Sequence, residues 1–298
     1  MKVLVAGSSG LIGSALCRQL VQDGNEVVRL VRRQPQGNGE VPWDPDTGSL
    51  AAAAFDGVDA VVHLGGRNIA AGRWTAKFKA ELLESRVRST ELIAATLSRL
   101  AEPPQVLICA SAIGIYGDRG CEELNEQSGV GSGFLAELGQ AWEGASAVAA
   151  DRGVRVVQAR FGIVLSRRGG ALAKMLWPFR LGMGGKVGNG RQYFSWIGLE
   201  DVVLALLFAL QNADSSGPLN LTAPNPVTNA ELTRVLGRIL RRPTLAPLPA
   251  FMARLVLGGL ADEGILASQR VLPAKLLKAG FDFHYPDLTG ALRRALEH

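Results

Sequence analysis

The hydrophobic pattern of the first half of the chain alternates between two periods. Residues 1–6, MKVLVA, form a short continuous apolar run rich in β-branched side chains, the mark of a buried strand. In residues 11–24, LIGSALCRQLVQDG, Leu11, Ile12, Ala15, Leu16 and Leu20 recur at helical spacing and Gly24 stops the helix. The alternation then repeats. Residues 25–33 (NEVVRLVRR) predict a second strand, 59–66 (DAVVHLGG) a third that ends in small residues, and 74–100 a long helix followed by Pro103 and Pro104. Residues 105–117 (QVLICASAIGIYG) predict a fourth strand running into a loop, 134–153 another helix, and 154–165 (VRVVQARFGIVL) a fifth strand. Strands alternating with helices imply a parallel sheet, right-handed crossovers and helices on both faces. The expected fold class is α/β, a doubly wound parallel sheet whose ligands lie beyond the carboxyl ends of the strands.

The residues just after each strand are therefore the ones that carry chemistry. The first strand opens into VAGSSGLIGSAL, with Gly7, Gly10 and Gly13 at every third position on a strand–turn–helix corner. Such a corner needs one glycine for the tight turn, one where a pyrophosphate approaches bare backbone, and one where helix and strand pack closely. The free N–H groups of the helix N-terminus face the phosphates. Gly7, Ser9, Gly10, Leu11, Ile12 and Gly13 are the expected contacts. After the second strand stand Arg32 and Arg33, where a binder of the unphosphorylated dinucleotide places an acid on the ribose 2′-hydroxyl. A doubly basic pair suits a 2′-phosphate, so NADP(H) is the expected cofactor. After the third strand, Leu64 and Gly65 are expected beside the adenosine and pyrophosphate, and His63 is expected to be packed in the core. WDPDTG (residues 43–48) is a turn, since Pro45 and the lack of a closing Glu argue against a calcium loop.

Composition changes the picture in two places. The three cysteines, Cys17, Cys109 and Cys121, show no metal spacing, which predicts no metal site and a reduced cytoplasmic setting. No signal peptide is read before the first strand, and VVLALLFAL (residues 202–210) is too short to span a bilayer. The net charge of +5 is unevenly spread: residues 152–199 contain no Asp or Glu but nine Lys or Arg. That stretch reads either as a solvated basic face or as a surface that attracts an anion. It carries no nucleic-acid module, so nucleic acid is not an expected partner. An anionic small-molecule substrate would account for the missing carboxylates. Within the Gly-, aromatic- and cation-rich segment 177–196, expected as a mobile roof over the nicotinamide half, and just before it, Arg160, Arg180, Lys186, Arg191 and Gln192 are the candidate substrate contacts.

The motifs GSSGLIG, HLGG, SAIGIYG and NLTAPNPVTNAEL resemble an extended short-chain dehydrogenase/reductase of the nucleotide-sugar epimerase superfamily. More closely, GRWTAKFKAELLESRVRST, GGALAKMLWPFRLGMGGKVGNGRQYFSWIGLEDV and LPAFMARLVLGGLADEGILASQRVLPAKLLKAGFDFHYPDLTGAL resemble its atypical subgroup, often labelled epimerase-family or cell-division-inhibitor proteins. Together these segments cover nearly the whole chain. The resemblance implies a Rossmann-like NADP-binding domain, placed at residues 1–165 with 199–213 packing back onto it. Residues 166–198 and 214–298 are then a smaller C-terminal substrate lobe. It also implies that Glu81, Arg86 and Val164 approach the cofactor.

The departures from the superfamily bear on activity. Its proton shuttle is a tyrosine four residues before a lysine, with a nearby Ser or Thr, and no Tyr-x-x-x-Lys occurs in this chain. Where it belongs, before AWE, the sequence reads GFLAELGQ; Ala112 stands in the Ser/Thr place, with Ser111 one position off; and Gly198 replaces a histidine usual in the subgroup. Two function classes follow. One is an NADP-dependent oxidoreductase or epimerase using Ser111 and Tyr116, with Glu126 and Lys79 as further acids or bases. The other is a non-catalytic, NADP(H)-responsive binding or regulatory protein whose basic segment meets a partner. A homodimer is kept as a candidate assembly.

Overall fold

The structure, a computed structural model, describes residues 1–297. The first half runs β1 (Lys2–Ala6), α1 (Leu11–Gln22), β2 (Glu26–Val31), β3 (Glu40–Pro42), β4 (Ala60–His63), α2 (Ala76–Leu97), β5 (Val106–Ala112), β6 (Glu123–Leu124), α3 (Phe134–Gly144), α4 (Ala147–Ala150), β7 (Arg155–Phe161) and β8 (Ile163–Leu165). The second half adds α5 (Gly170–Arg180), β9 (Tyr193–Phe194), β10 (Trp196–Gly198), α6 (Leu199–Gln211), β11 (Gly217–Leu221), β12 (Val227–Thr228) and α7 (Asn229–Leu240). It closes with α8 (Ala250–Leu257), β13 (Arg270–Val271), α9 (Ala274–Lys278) and α10 (Leu288–Glu297).

Seven strands form one sheet in the order β11-β7-β5-β4-β1-β2-β3, every neighbouring pair parallel. The period of two along β1 divides its side chains between two cores. Val3 and Val5 join Leu16, Leu20, Ile108, Val157 and Leu206 under α1 and α6, whereas Leu4 and Ala6 join Leu30, Ile93, Leu97 and Leu107 under α2. Val3, Leu4 and Val5 are fully buried, and each such side chain contributes about 1.5–3 kcal/mol. A third cluster, with Leu172, Leu176, Phe179, Trp196, Leu232, Leu236 and Leu292, forms the lobe where α5, α7 and α10 meet.

Three sequence expectations change. The helix expected over 134–153 breaks into α3 and α4 where Ser146 Oγ donates to the Glu143 carbonyl (2.8 Å), a side-chain bond that competes with helix continuation. The fifth strand breaks at Gly162, where β7 leaves the sheet and β8 pairs instead with β10. The lobe does not begin cleanly at 214, because β11 is the edge strand of the main sheet, paired with β7 from Gly217 to Leu221. Parallel β7 has a free side that only a later strand can cover, and β11 supplies it. The helix α6 packs on α1, inside the first core.

Candidate functional site

The strand order reverses between β1 and β4, which opens a crevice at their carboxyl ends. Gly7 stands there at φ +79°, and a Cβ on it would lie 2.8 Å from the Gly65 nitrogen. A Cβ on Gly13 would lie 2.2 Å from the Gly7 carbonyl oxygen. Both positions thus admit no side chain: the first lets the β1 and β4 turns touch, and the second seats α1 on its own turn. Gly10 differs. It is the N-cap residue of α1, is exposed, and a Cβ there would meet within 4 Å only the Gly7 oxygen at 3.3 Å. The backbone is bare at Gly10 toward solvent, and the N-terminus of α1 has no side-chain cap, so its N–H groups are left for a ligand. Ser9, Leu11 and Ile12 lie around this turn, Ile12 packed partly on the first core.

The loop after β4 is fixed from α2. Leu64 N–H donates to the Ala6 carbonyl (2.9 Å), which holds Leu64 and Gly65 beside the glycine turn. Glu81 pairs with Arg67 (3.0 Å), and Arg86 donates to the Arg67 carbonyl (2.9 Å) and the Leu82 carbonyl (3.1 Å). The Arg86 guanidinium stacks over Trp142 at 4.9 Å; burial pushes its pKa down to about 10. Its Nε is buried with no hydrogen-bond partner. Below the loop, His63 is fully buried. Ser89 Oγ donates to the Ser85 carbonyl (2.8 Å), so the 2.9 Å contact with His63 Nε2 assigns the proton to Nε2. Burial pushes the His63 pKa down to about 4, and the ring stays neutral in the core, as expected.

The two arginines after β2 part company. Arg33 is held by Glu40 on β3 through two bonds (2.9 and 2.7 Å) and by the Gln34 carbonyl. The Arg33 bond, foremost, and the Gln36 N–H depress the Glu40 pKa. Arg32 is exposed and makes no hydrogen bond or ion pair among the described residues. Arg32 thus faces out without such bonds, whereas Arg33, also exposed, neutralises a carboxylate.

The end of β5 carries the largest correction. Strand alternation points Ser111 inward and leaves Ala112 exposed at the strand's end. Ser111 Oγ donates to Glu143 Oε1 (2.6 Å), and Arg160 donates to both Glu143 oxygens (2.7 and 2.7 Å). Arg160 also donates to the Tyr116 hydroxyl (2.9 Å), which donates to Asn220 Oδ1 (2.8 Å). Asn220 continues the chain to Leu272 and, through its own N–H, to Glu126. Tyr116 is 0 % exposed, and burial raises its pKa despite the nearby Arg160. Burial works against the Arg160 charge, but the Glu143 bonds and charge outweigh it and hold the guanidinium above its ordinary pKa. Ser111, Tyr116 and Arg160 are thus buried members of one network linking β5, β7, β11 and α3. None presents a free group to the crevice, and Glu126 is likewise buried. Sequence reasoning missed Glu143 and Asn220, the hub and the link; the AWE motif was the available signal for Glu143.

The remaining candidates scatter. Gln192 is buried, and its side-chain amide donates to the Val187 and Ile265 carbonyls. Lys186 and Arg191 are exposed on the loop before β9, and Arg180 at the end of α5. That loop is tied down rather than loose: Val187 N–H donates to Asn229, and Gly188 N–H to the Leu248 carbonyl. Val164, on β8, packs partly on the first core, its carbonyl over Gly170. Lys79 lies over the rings of Phe134 (4.7 Å) and Trp74 (5.5 Å). Along α3 a lysine has no room at Gly139, where a Cβ would come 2.9 Å from Ile115 Cβ. The N-terminus of α3 is covered instead by Glu263, which accepts from Leu135 N–H (2.7 Å).

A parallel sheet with a glycine turn at its switch point defines a Rossmann-like nucleotide-binding fold. The chain belongs to the NAD-dependent epimerase/dehydratase family, whose model matches residues 3–222; residues 248–295 match a domain of unknown function, DUF1731. An epimerase family protein of Mycobacterium leprae is 46% identical over 98% of this chain and 95% of its own. The epimerase family protein SDR39U1 of Homo sapiens is 38% identical over 98% of this chain and 99% of its own. The crystal structure of human SDR39U1 (isoform 2) with NADPH superposes with a TM-score of 0.91 at 36% identity, covering 100% of both chains.

Proposed function

We propose that this protein binds NADP(H) across the β1–β4 crevice and acts on a small anionic substrate without a Tyr–Lys shuttle. The observation that carries the cofactor reading is the bare turn at Gly10 beside the uncapped N-terminus of α1. The exposed Arg32 after β2 supplies a donor for the 2′-phosphate, and Arg86 holds the loop after β4. In this reading Gly7, Ser9, Gly10, Leu11, Ile12 and Gly13 hold the pyrophosphate, Arg32 the 2′-phosphate, and Leu64, Gly65 and Val164 line the path. Glu81 and Arg86 shape the loop, and Arg180, Lys186 and Arg191 remain the exposed cations for a substrate. When bound, the nicotinamide supplies hydride-transfer chemistry. The crystal structure of SDR39U1 with NADPH supports the choice of cofactor.

A second reading, an NADP(H)-responsive binding protein, is favoured by the end of β5. There Ala112 is the exposed residue of β5, and Ser111 and Tyr116 are both engaged in the buried network, so neither is free to act as an acid or base. Calorimetry with NADPH and NADH tests the cofactor. NADPH should bind well over tenfold tighter, because a charge-assisted contact is worth about 1.5–3 kcal/mol. Arg32→Asp should erase the preference, and equal affinities in the native protein refute it. Slow or absent NADPH oxidation with simple carbonyl compounds and UDP-sugars is expected, and rapid turnover would overturn the absence of a shuttle.

A further inference from the structure

The groove between α7 and α10 gathers charge that the fold does not answer. The two helices pack through Leu232, Val235, Leu236, Leu288, Ala291 and Leu292 in the core of the lobe. Along that seam a cleft of about 380 Å³ is lined by Val235, Arg238, Ile239 and Arg241 on the α7 side and by Thr289 and Arg293 on α10. Val235 is buried and Ile239 half-buried, which gives the cleft an apolar floor, whereas all three arginines are exposed. The side chains of Arg238, Arg241 and Arg293 make no hydrogen bond or ion pair among the described residues.

The carboxylates of these helices are committed elsewhere or stand outside the cleft. Glu231, at the start of α7, pairs with Arg234 (3.8 Å), and Arg294 donates to Glu200 (2.7 Å). Asp287 accepts from Gly290 N–H (2.9 Å). Glu297, one turn beyond Arg293, is exposed and does not line the cleft. The C-terminal dipole of α7 favours Arg238 and Arg241, but it does not account for Arg293, which α10 brings to the same place. Arg241 adds a second sign. It is the C-cap of α7 at φ 53°, the only non-glycine residue with a positive φ among the described residues. That conformation favours glycine, so an arginine there is kept against the preference of its backbone. Three like charges sharing a cleft repel one another, and an anion brought from outside relieves that repulsion.

We propose that this cleft binds the di- or triphosphate group of a small molecule. Planar guanidiniums hold phosphate oxygens through paired, charge-assisted bonds, and three of them suit the spread charge of linked phosphates better than the single charge of a carboxylate. Thr289 adds a hydroxyl, and Val235 with Ile239 offers an apolar wall to whatever carries the phosphates. The site shares no residue with the β1–β4 crevice, and the proposal makes no use of the cofactor reading.

Calorimetry of the full chain with inorganic tripolyphosphate and, separately, with magnesium-free ATP tests it. Tripolyphosphate should bind at low salt and weaken as salt is raised, because the arginines are exposed. Tighter binding of ATP identifies a nucleotide as the source of the phosphates, and equal or weaker binding identifies the phosphate chain alone. Arg238→Gln with Arg293→Gln should weaken binding about 100-fold, at roughly tenfold for each guanidinium. Both side chains are exposed, so the circular dichroism melt should stay unchanged. Arg241→Gly should weaken binding about tenfold without lowering the melting temperature, since glycine accepts this backbone more readily. Gly10→Val, which fills the glycine turn, should leave tripolyphosphate binding unchanged. No tripolyphosphate binding at low salt, or binding that survives the paired Arg238 and Arg293 substitutions, overturns the proposal. So does binding that is lost with Gly10→Val, which would place the phosphates on the glycine turn instead.

Discussion

Glu143→Ala isolates the buried network at the end of β5. Glu143 and Arg160 side chains are 13 % and 7 % exposed and share two bonds of 2.7 Å, and Glu143 also accepts from Ser111. Removing the carboxylate leaves Arg160 Nε and Nη2 without their acceptor, with only the Tyr116 hydroxyl still bonded to the guanidinium. An uncompensated buried charge costs about 3–5 kcal/mol, whereas replacing both partners by apolar groups is often close to neutral. At about 2 °C per kcal/mol for a chain of this size, the single variant should melt roughly 6–10 °C lower. Arg160→Met should lose a similar amount, and the double variant should lose clearly less than the sum. Urea denaturation gives the free energies and closes the cycle. Tyr116→Phe should cost about 1–3 kcal/mol and leave NADPH affinity unchanged. A loss below about 1 kcal/mol in Glu143→Ala, or strict additivity in the double variant, would refute the view that these residues form one structural unit. Destabilisation without loss of NADPH affinity would confirm that the network holds the fold rather than the ligand.

The glycine turn and the buried histidine give two more outcomes. Gly10→Val should abolish NADPH binding with little change in melting temperature. Gly13→Ala should instead destabilise the apo protein by about 1–3 kcal/mol, since its methyl group meets the Gly7 oxygen; identical behaviour of the two variants would contradict the separate roles of these glycines. His63 titrates near 6.5 unfolded and near 4 folded, so below pH 6.5 the unfolded chain binds the extra proton. Stability should therefore fall as pH drops from 6.5 to 4, by about 3 kcal/mol from this residue, and His63→Asn should flatten that part of the profile in denaturation measured across pH.

The N-terminal sheet was legible because its strands are continuous apolar runs and its helices are long and periodic. The edge and lobe strands β3, β8, β9, β10 and β12 are two or three residues long, too short to show a period. The glycine turn was legible for a similar reason, since its spacing and its strand–helix context both lie within one short stretch. The end of β5 was not. Whether Ser111 or Ala112 faces the crevice depends on the phase of a strand buried almost throughout, and its apolar run VLICASA conceals that phase. Arg33 shows a different limit: its partner Glu40 is seven residues away across a loop, and only pairing of β2 with β3 brings the two together. Arg160 and Tyr116 are 44 residues apart and Tyr116 and Asn220 are 104 apart, separations at which single-sequence patterns carry no signal.

The loop that follows β5 is completed by residues synthesised far later. Gly117 accepts from Gln269 and Asp118 from Ser268 N–H, Arg119 N–H donates to the Ser268 carbonyl, and Glu263 covers the start of α3. These links span about 128–152 residues. At roughly 5–20 residues per second, a ribosome takes on the order of 6–30 seconds to cross that interval. For that time the emerging sheet has its glycine turn and its first three helices, while the loop after β5 waits unfastened. A nascent chain can thus assemble its dinucleotide crevice well before the loop after β5 is fastened to the C-terminal segment.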